Sequence, residues 1–203
     1  MLRDRTHVSI KVQSGRLFVL DQTLLPSKEV WLDVTKPQDL CTAIVKLSVR
    51  GAPLIGVSAA LSLAIYSSNP NGVGFDGSLS NEDFLRVRDM LISTRPTAVN
   101  LQNAMRRMSQ CIGLNLCDKQ SREMTLRSIN QREIETLVKT ANDIIDEDVD
   151  LCKKIGIQGA NFIKSGDNIV THCNTGSLAT AGVGTALGAI ISAFKDQGKD
   201  IHV

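Results

Sequence analysis

Aromatic residues are scarce in this chain, only 3% of its 203 residues, which leaves few platforms for stacking the bases of a single strand. An excess of charge of one sign is also missing. Lys and Arg number 23 against 21 Asp and Glu, a net charge of +2, too even a balance for an electrostatic footprint on DNA or RNA. Nucleic acid is therefore not expected as a direct partner. No apolar run approaches the roughly 18–20 residues that cross a bilayer, and Met1-Leu-Arg-Asp-Arg-Thr-His7 lacks the apolar core of a secretory leader. The expected setting is the cytosol, away from membranes, with a nuclear pool left open. The five cysteines are odd in number and form no Cys-x-x-Cys pair, which argues against a disulfide framework and a zinc site. They read as reduced thiols, four of them core filler. A P-loop is excluded because no Gly-Lys-Ser/Thr occurs.

What is present is ordinary globular material, 42% hydrophobic and 22% charged, enough for one large domain or two small ones. Residues 8–12 alternate apolar and polar, Ser14-Gly15 is a turn pair, and 16–20 make a second strand of a hairpin. Glu29 to Val34 supplies a third strand of a small antiparallel sheet. Helical periods follow. Pro37 begins a helix striped by Leu40, Ile44 and Leu47 up to Arg50, and Gly56 to Tyr66 is apolar on nearly every face, as in a buried helix. Residues 68–83 read as a surface loop. Phe84, Val87 and Leu91 mark a helix that ends before Pro96, which in turn opens another through Val99, Met105 and Met108. From Gln131 to Ile155 the apolar positions recur at three and four, a long amphipathic helix. Its acidic cluster, Asp146, Glu147, Asp148 and Asp150, reads as a solvated face.

Near Gly166-Asp167 the pattern becomes strand (Asn168 to His172), loop, helix (Leu178 to Phe194) and strand again (Ile201 to Val203), the first βαβ unit of a doubly wound sheet. The fold class expected is thus α+β and then α/β. A small antiparallel sheet with a helical N-terminal domain (1–155) precedes the start of a Rossmann-like domain (156–203). Such a sheet usually has five or six strands, so the second domain reads as truncated.

Chemistry concentrates around Cys173. A thiol between a strand end and a helix N-terminus feels the positive end of the helix dipole, which favours the thiolate; a small residue closing a tight turn fits the same position equally well. Asn174 to Ser177, with free N–H groups at a helix start, suit an anion such as phosphate. Ala181, Gly184, Thr185, Gly188, Ala189 and Ser192 form one small helical face, suited to close backbone packing that offsets the glycines' cost of about 1 kcal/mol each. Gly182-x-Gly184 lies too far beyond His172 for a dinucleotide fingerprint. His172 should point away from its neighbour Cys173, as alternate strand residues do, and reads as a core or interface histidine. Arg50, before Gly51 and Pro53, and Arg95, before Pro96, are two guanidinium groups beside turns.

Four segments occur in order: Leu20-Asp-Gln-Thr-Leu-Leu-Pro26, Val49-Arg-Gly-Ala-Pro-Leu-Ile-Gly56, Thr94-Arg-Pro-Thr-Ala-Val-Asn100 and Thr171-His-Cys-Asn-Thr-Gly-Ser-Leu-Ala-Thr-Ala-Gly-Val-Gly-Thr-Ala-Leu-Gly188. Together they resemble the methylthioribose-1-phosphate isomerases of methionine salvage, the isomerase branch of a family shared with the alpha, beta and delta subunits of translation initiation factor 2B. The resemblance covers residue 8 to the end. It implies an aldose–ketose isomerisation of a sugar phosphate without metal or organic cofactor, and a homodimer in the full-length form. It also implies that Arg50, Gly51 and Ala52 hold the substrate, that Arg95 binds its phosphate and that Cys173 is the catalytic thiol. The resemblance places the family's proton-handling aspartate in its second half, so this chain is expected to be a truncated form that lacks it. Two neighbouring readings are ribose 1,5-bisphosphate isomerase and a non-catalytic regulatory subunit of the exchange factor.

Overall fold

The computed structural model describes residues 2–68, 79–114 and 127–203. Most of the loop expected at 68–83, and Cys117, lie outside them. The chain opens with four antiparallel strands in sequential order: β1 (Arg5–Thr6), β2 (Ile10–Gln13), β3 (Arg16–Leu20) and β4 (Trp31–Asp33). Ser14 and Gly15 sit at φ 51° and 74°, the two-residue turn whose twist suits a hairpin, and Gln13 pairs with Arg16 across it. Alternation then sends Ile10, Val12, Leu17 and Val19 into the core.

Six helices follow among the described residues: α1 (Pro37–Val45), α2 (Ala52–Ser68), α3 (Asn81–Ser93), α4 (Val99–Gln110), α5 (Gln131–Ala160) and α6 (Ala186–Lys195). Helix α2 is buried on every face from Leu54 to Ser67 because α1, α3, α4 and α5 all pack on it. At Gly56 α4 comes close, since an added Cβ would lie 2.9 Å from the Asn100 carbonyl oxygen. Helix α5 starts at a capping box formed by Asn130 and Glu133, and Arg127 pairs with Glu133 at 2.8 Å. It runs 30 residues without a break. Its far end carries α6, and a Cβ added at Gly159 would fall 2.6 Å from that of Ala189.

Three expected boundaries move. Helix α1 stops at Val45 rather than Arg50, because Leu47 turns to φ 62°. Pro96 stands in the turn before α4, whose N-cap is Ala98. The helix expected from Leu178 begins only at Ala186, for a reason found in the site below. No strand forms over 168–172. A single parallel bridge joins Asn168 to His202, where Ile169 N–H donates to the His202 carbonyl at 2.7 Å and His202 N–H to the Asp167 carbonyl at 3.0 Å, and Val170 beyond it is 95% exposed. No described helix is long and apolar enough to cross a membrane.

Candidate functional site

The turn bearing Arg50 is shaped from both sides. Ser48, buried, donates its N–H to the Ala43 carbonyl at 2.9 Å, and Gly51 follows at φ 103°, a conformation that side-chain-bearing residues rarely adopt. A Cβ there would stand 2.4 Å from the Ala179 Cα. The next contact is a hydrogen bond from Leu54 N–H, in the first turn of α2, to the Ala179 carbonyl at 3.1 Å. The Arg50 turn therefore meets, backbone on backbone, the segment that follows Cys173.

That segment makes two local hydrogen bonds, Ala179 N–H to the Gly176 carbonyl and Thr180 Oγ1 to the Gly182 carbonyl, and is otherwise held by distant partners. Gln22 Nε2 donates to the Leu178 carbonyl at 2.7 Å, and Ser9 Oγ donates to the carbonyls of Ser177 and Thr180 at 3.3 and 3.4 Å. Ala181 N–H goes to Asp148 Oδ2 on α5 at 2.7 Å. With its backbone groups taken this way, and Gly184 at φ 101°, residues 178–185 cannot close a helical turn. Gly182 instead lies flat on α5, where a Cβ would come within 2.6 Å of the Cys152 Cβ. The small face does serve close packing, as its spacing implied, but only Gly188, Ala189 and Ser192 do so on a helix.

Cys173 is exposed and sits at φ 70°, in a turn and not at a helix N-terminus. Its loop folds back on α6: Thr175 accepts Thr185 N–H at 2.8 Å through its carbonyl. Through Oγ1 it accepts Leu187 N–H at 3.3 Å, which caps the first turn of α6 from outside. The phosphate cradle expected at a helix start is thus a loop, although the N–H groups of Asn174, Thr175 and Gly176 donate to no other described residue. His172, expected in a core or interface, is exposed. Arg50 and Ala52 are exposed as well, and Gly51 is half-buried. Arg95 is exposed in the turn between α3 and α4, where its carbonyl accepts Ala98 N–H at 2.9 Å. The structure thus joins the Arg50–Ala52 turn to the loop of Cys173, while no hydrogen bond or ion pair among the described residues links the Arg95 side chain to either.

Beside the start of α2 lies a cleft of ≈ 240 Å³ lined by Pro53, Gly56, Asn100, Arg107, Glu147 and Asp148, among others. The acidic cluster borders it and is not uniformly solvated. Asp146 pairs with Arg3 and Arg5, and Glu147 with Arg107. Asp148 turns inward to Ala181, and burial pushes its carboxyl above the usual range despite that N–H. Sequence reasoning missed Ser9, Gln22 and Asp148 as the groups that hold the Cys173 segment, since each lies far from it along the chain and no local pattern marks them.

Residues 48–203 match the model of the Initiation factor 2 subunit family. The chain belongs to that family. Within it, the chain is 40% identical over 92% of its length to the methylthioribose-1-phosphate isomerase of Enterobacter sp. (strain 638), covering 47% of that protein. It is 37% identical over 95% of its length to the enzyme of that name from Yersinia pestis (strain Pestoides F), covering 49%. Among solved structures, 5-methylthioribose 1-phosphate isomerase from Pyrococcus horikoshii OT3 aligns with a TM-score of 0.75 at 29% identity, over 97% of this chain and 51% of that one. The delta subunit of translation initiation factor eIF-2B from A. fulgidus aligns at 0.70 and 33%, over 97% and 53%. This family member spans about half the length of the curated relatives it matches.

Proposed function

We propose that this chain supplies the arginine- and thiol-bearing half of an aldose–ketose isomerase that converts 5-methylthioribose 1-phosphate to 5-methylthioribulose 1-phosphate. The observation that supports the reading is the Gly51–Ala179 crossing, a backbone contact between the Arg50 turn and the segment that follows Cys173. The relatives' names supply the substrate.

In this reading Arg50, Gly51 and Ala52 hold the sugar phosphate and Arg95 completes the phosphate grip, with unengaged N–H groups at residues 174–176 adding donors suited to an anion. The reaction moves hydrogen between neighbouring sugar carbons. Cys173 is the group that exchanges a proton or stabilises charge there, with no metal or organic cofactor. The bridged residues Asn168 and His202, with α6 between them, support reading residues 156–203 as the start of a Rossmann-like domain that follows an N-terminal domain (1–155), and the active form is a cytoplasmic homodimer. The likeness to the eIF-2B delta subunit supports a second reading, a subunit that acts by assembly and binds no sugar phosphate.

Binding by the 203-residue chain separates the two. Iodoacetamide labelling of Cys173 should slow when 5-methylthioribose 1-phosphate is added, and Arg50→Ala should abolish that protection. In a polypeptide extended to the length of the relatives, Cys173→Ala should lower turnover by roughly 10²–10⁴-fold. Unprotected Cys173, or full turnover without its sulfur, overturns the isomerase reading. Offering ribose 1,5-bisphosphate in parallel distinguishes the neighbouring enzyme.

A further inference from the structure

Gln22 is 2% exposed and belongs to the connection between β3 and β4. Its backbone N–H donates to the Ser48 carbonyl at 3.0 Å, in the turn that leads to Arg50. Its side-chain Nε2 donates to the Leu178 carbonyl at 2.7 Å, in the segment that follows Cys173. One residue thus ties both turns of the site to the sheet. The carboxamide's other atom, Oε1, is buried and has no partner. An orphaned buried acceptor is a cost that an apolar side chain of the same volume would avoid, so packing does not explain a glutamine here. The Nε2 donor does.

We propose that Gln22 is a positioning residue: through Nε2 it fixes where the Cys173 loop stands relative to the Arg50 turn. The role in holding a sugar phosphate rests on the isomerase reading; the coupling of the two turns does not.

Two variants test it. Gln22→Met keeps the volume and loses the donor, and Gln22→Glu can donate to the Leu178 carbonyl only while protonated. Amide hydrogen exchange over residues 173–181 is compared with the parent chain at the same pH. Gln22→Met should exchange at least tenfold faster there at every pH. Gln22→Glu should match the parent near pH 5 and Gln22→Met near pH 8, a split that a space-filling role does not produce. Should Gln22→Met fail to fold, the pH comparison within Gln22→Glu decides alone. Parent-like exchange in Gln22→Glu at both pH values, or in a folded Gln22→Met, overturns the proposal. Protection of Cys173 from iodoacetamide by 5-methylthioribose 1-phosphate is measured in the same samples. A parent chain without protection sinks the isomerase reading, while the exchange data still decide the role of Gln22.

Discussion

Gly51 and Ala179 touch through their backbones, with the position of a Gly51 Cβ only 2.4 Å from both the Cα and the carbonyl oxygen of Ala179. Neither atom can swing aside as a flexible side chain could. Gly51→Ala therefore has to part the two segments and also occupy φ 103°. Strain of about 1–3 kcal/mol from the backbone and a similar amount from overpacking are expected. Urea unfolding should show a loss of about 2–6 kcal/mol, and Cys173 should lose any protection by sugar phosphate in protein that remains folded.

Where α5 crosses α6, Gly159 leaves room for Ala189, whose Cβ would otherwise be 2.6 Å from an added one. On helix propensity alone Gly159→Ala should stabilise by about 1 kcal/mol. Overpacking of about 1–3 kcal/mol opposes it, and the net effect is expected to be destabilising. Adding Ala189→Gly should restore the space, giving a coupling of opposite sign to the single changes. Additive urea midpoints would contradict the contact.

Those elements differ in how far the sequence alone reveals them. The Ser14-Gly15 turn, the Pro37 start, the all-round burial of α2 and the length of α5 follow from local chemistry and period. Residues 178–185 carry a helical pattern just as clearly, yet their backbone groups are claimed by Gln22, 156 positions away from Leu178, and by Ser9, 171 away from Thr180. No local window contains that competition. The position of Asp148 is hidden for a similar reason: its neighbours Asp146, Glu147 and Asp150 are exposed, while the distant Ala181 N–H binds it. The turn at Arg50 and Gly51 is legible through glycine and proline. Gln22, in a connection without periodicity, is not.

Thiol labelling should rank the cysteines by environment. Cys173 is exposed and Cys152 is buried, while burial pushes the Cys41 thiol up to about 11 and raises that of Cys111. The thiolate is the reacting species. With Cys117 replaced by Ser, iodoacetamide near pH 8 should modify Cys173 on the order of tenfold faster than Cys41 or Cys152, read by peptide mass spectrometry. Faster labelling of Cys41 would contradict the packing of α1.

The dependence of stability on pH should contain terms of opposite sign. Hydrogen bonds from Arg107 and Arg127 hold Glu147 and Glu133 below their ordinary 4.5, so their stabilisation is present above 4.5 and is lost as pH falls through the folded values. His7 is lowered from 6.5, by burial first and by Arg5 next, so the unfolded chain takes up its proton first and stability also declines as pH drops below 6.5. Asp148 runs the other way. Its pKa is raised above 3.8, chiefly by burial, so the folded state keeps the proton longer than the unfolded chain. Stability contributed by this residue is greatest below 3.8 and decreases as pH rises through the folded value. Asp148→Asn cannot ionise and can still accept the Ala181 N–H through its amide oxygen. Relative to the parent, its urea midpoint should therefore climb between about pH 4 and the raised folded value, and then level off. A difference that stays flat over that interval would mean that Asp148 ionises as readily as a surface carboxylate, and that the anchor of the Cys173 segment on α5 lies elsewhere.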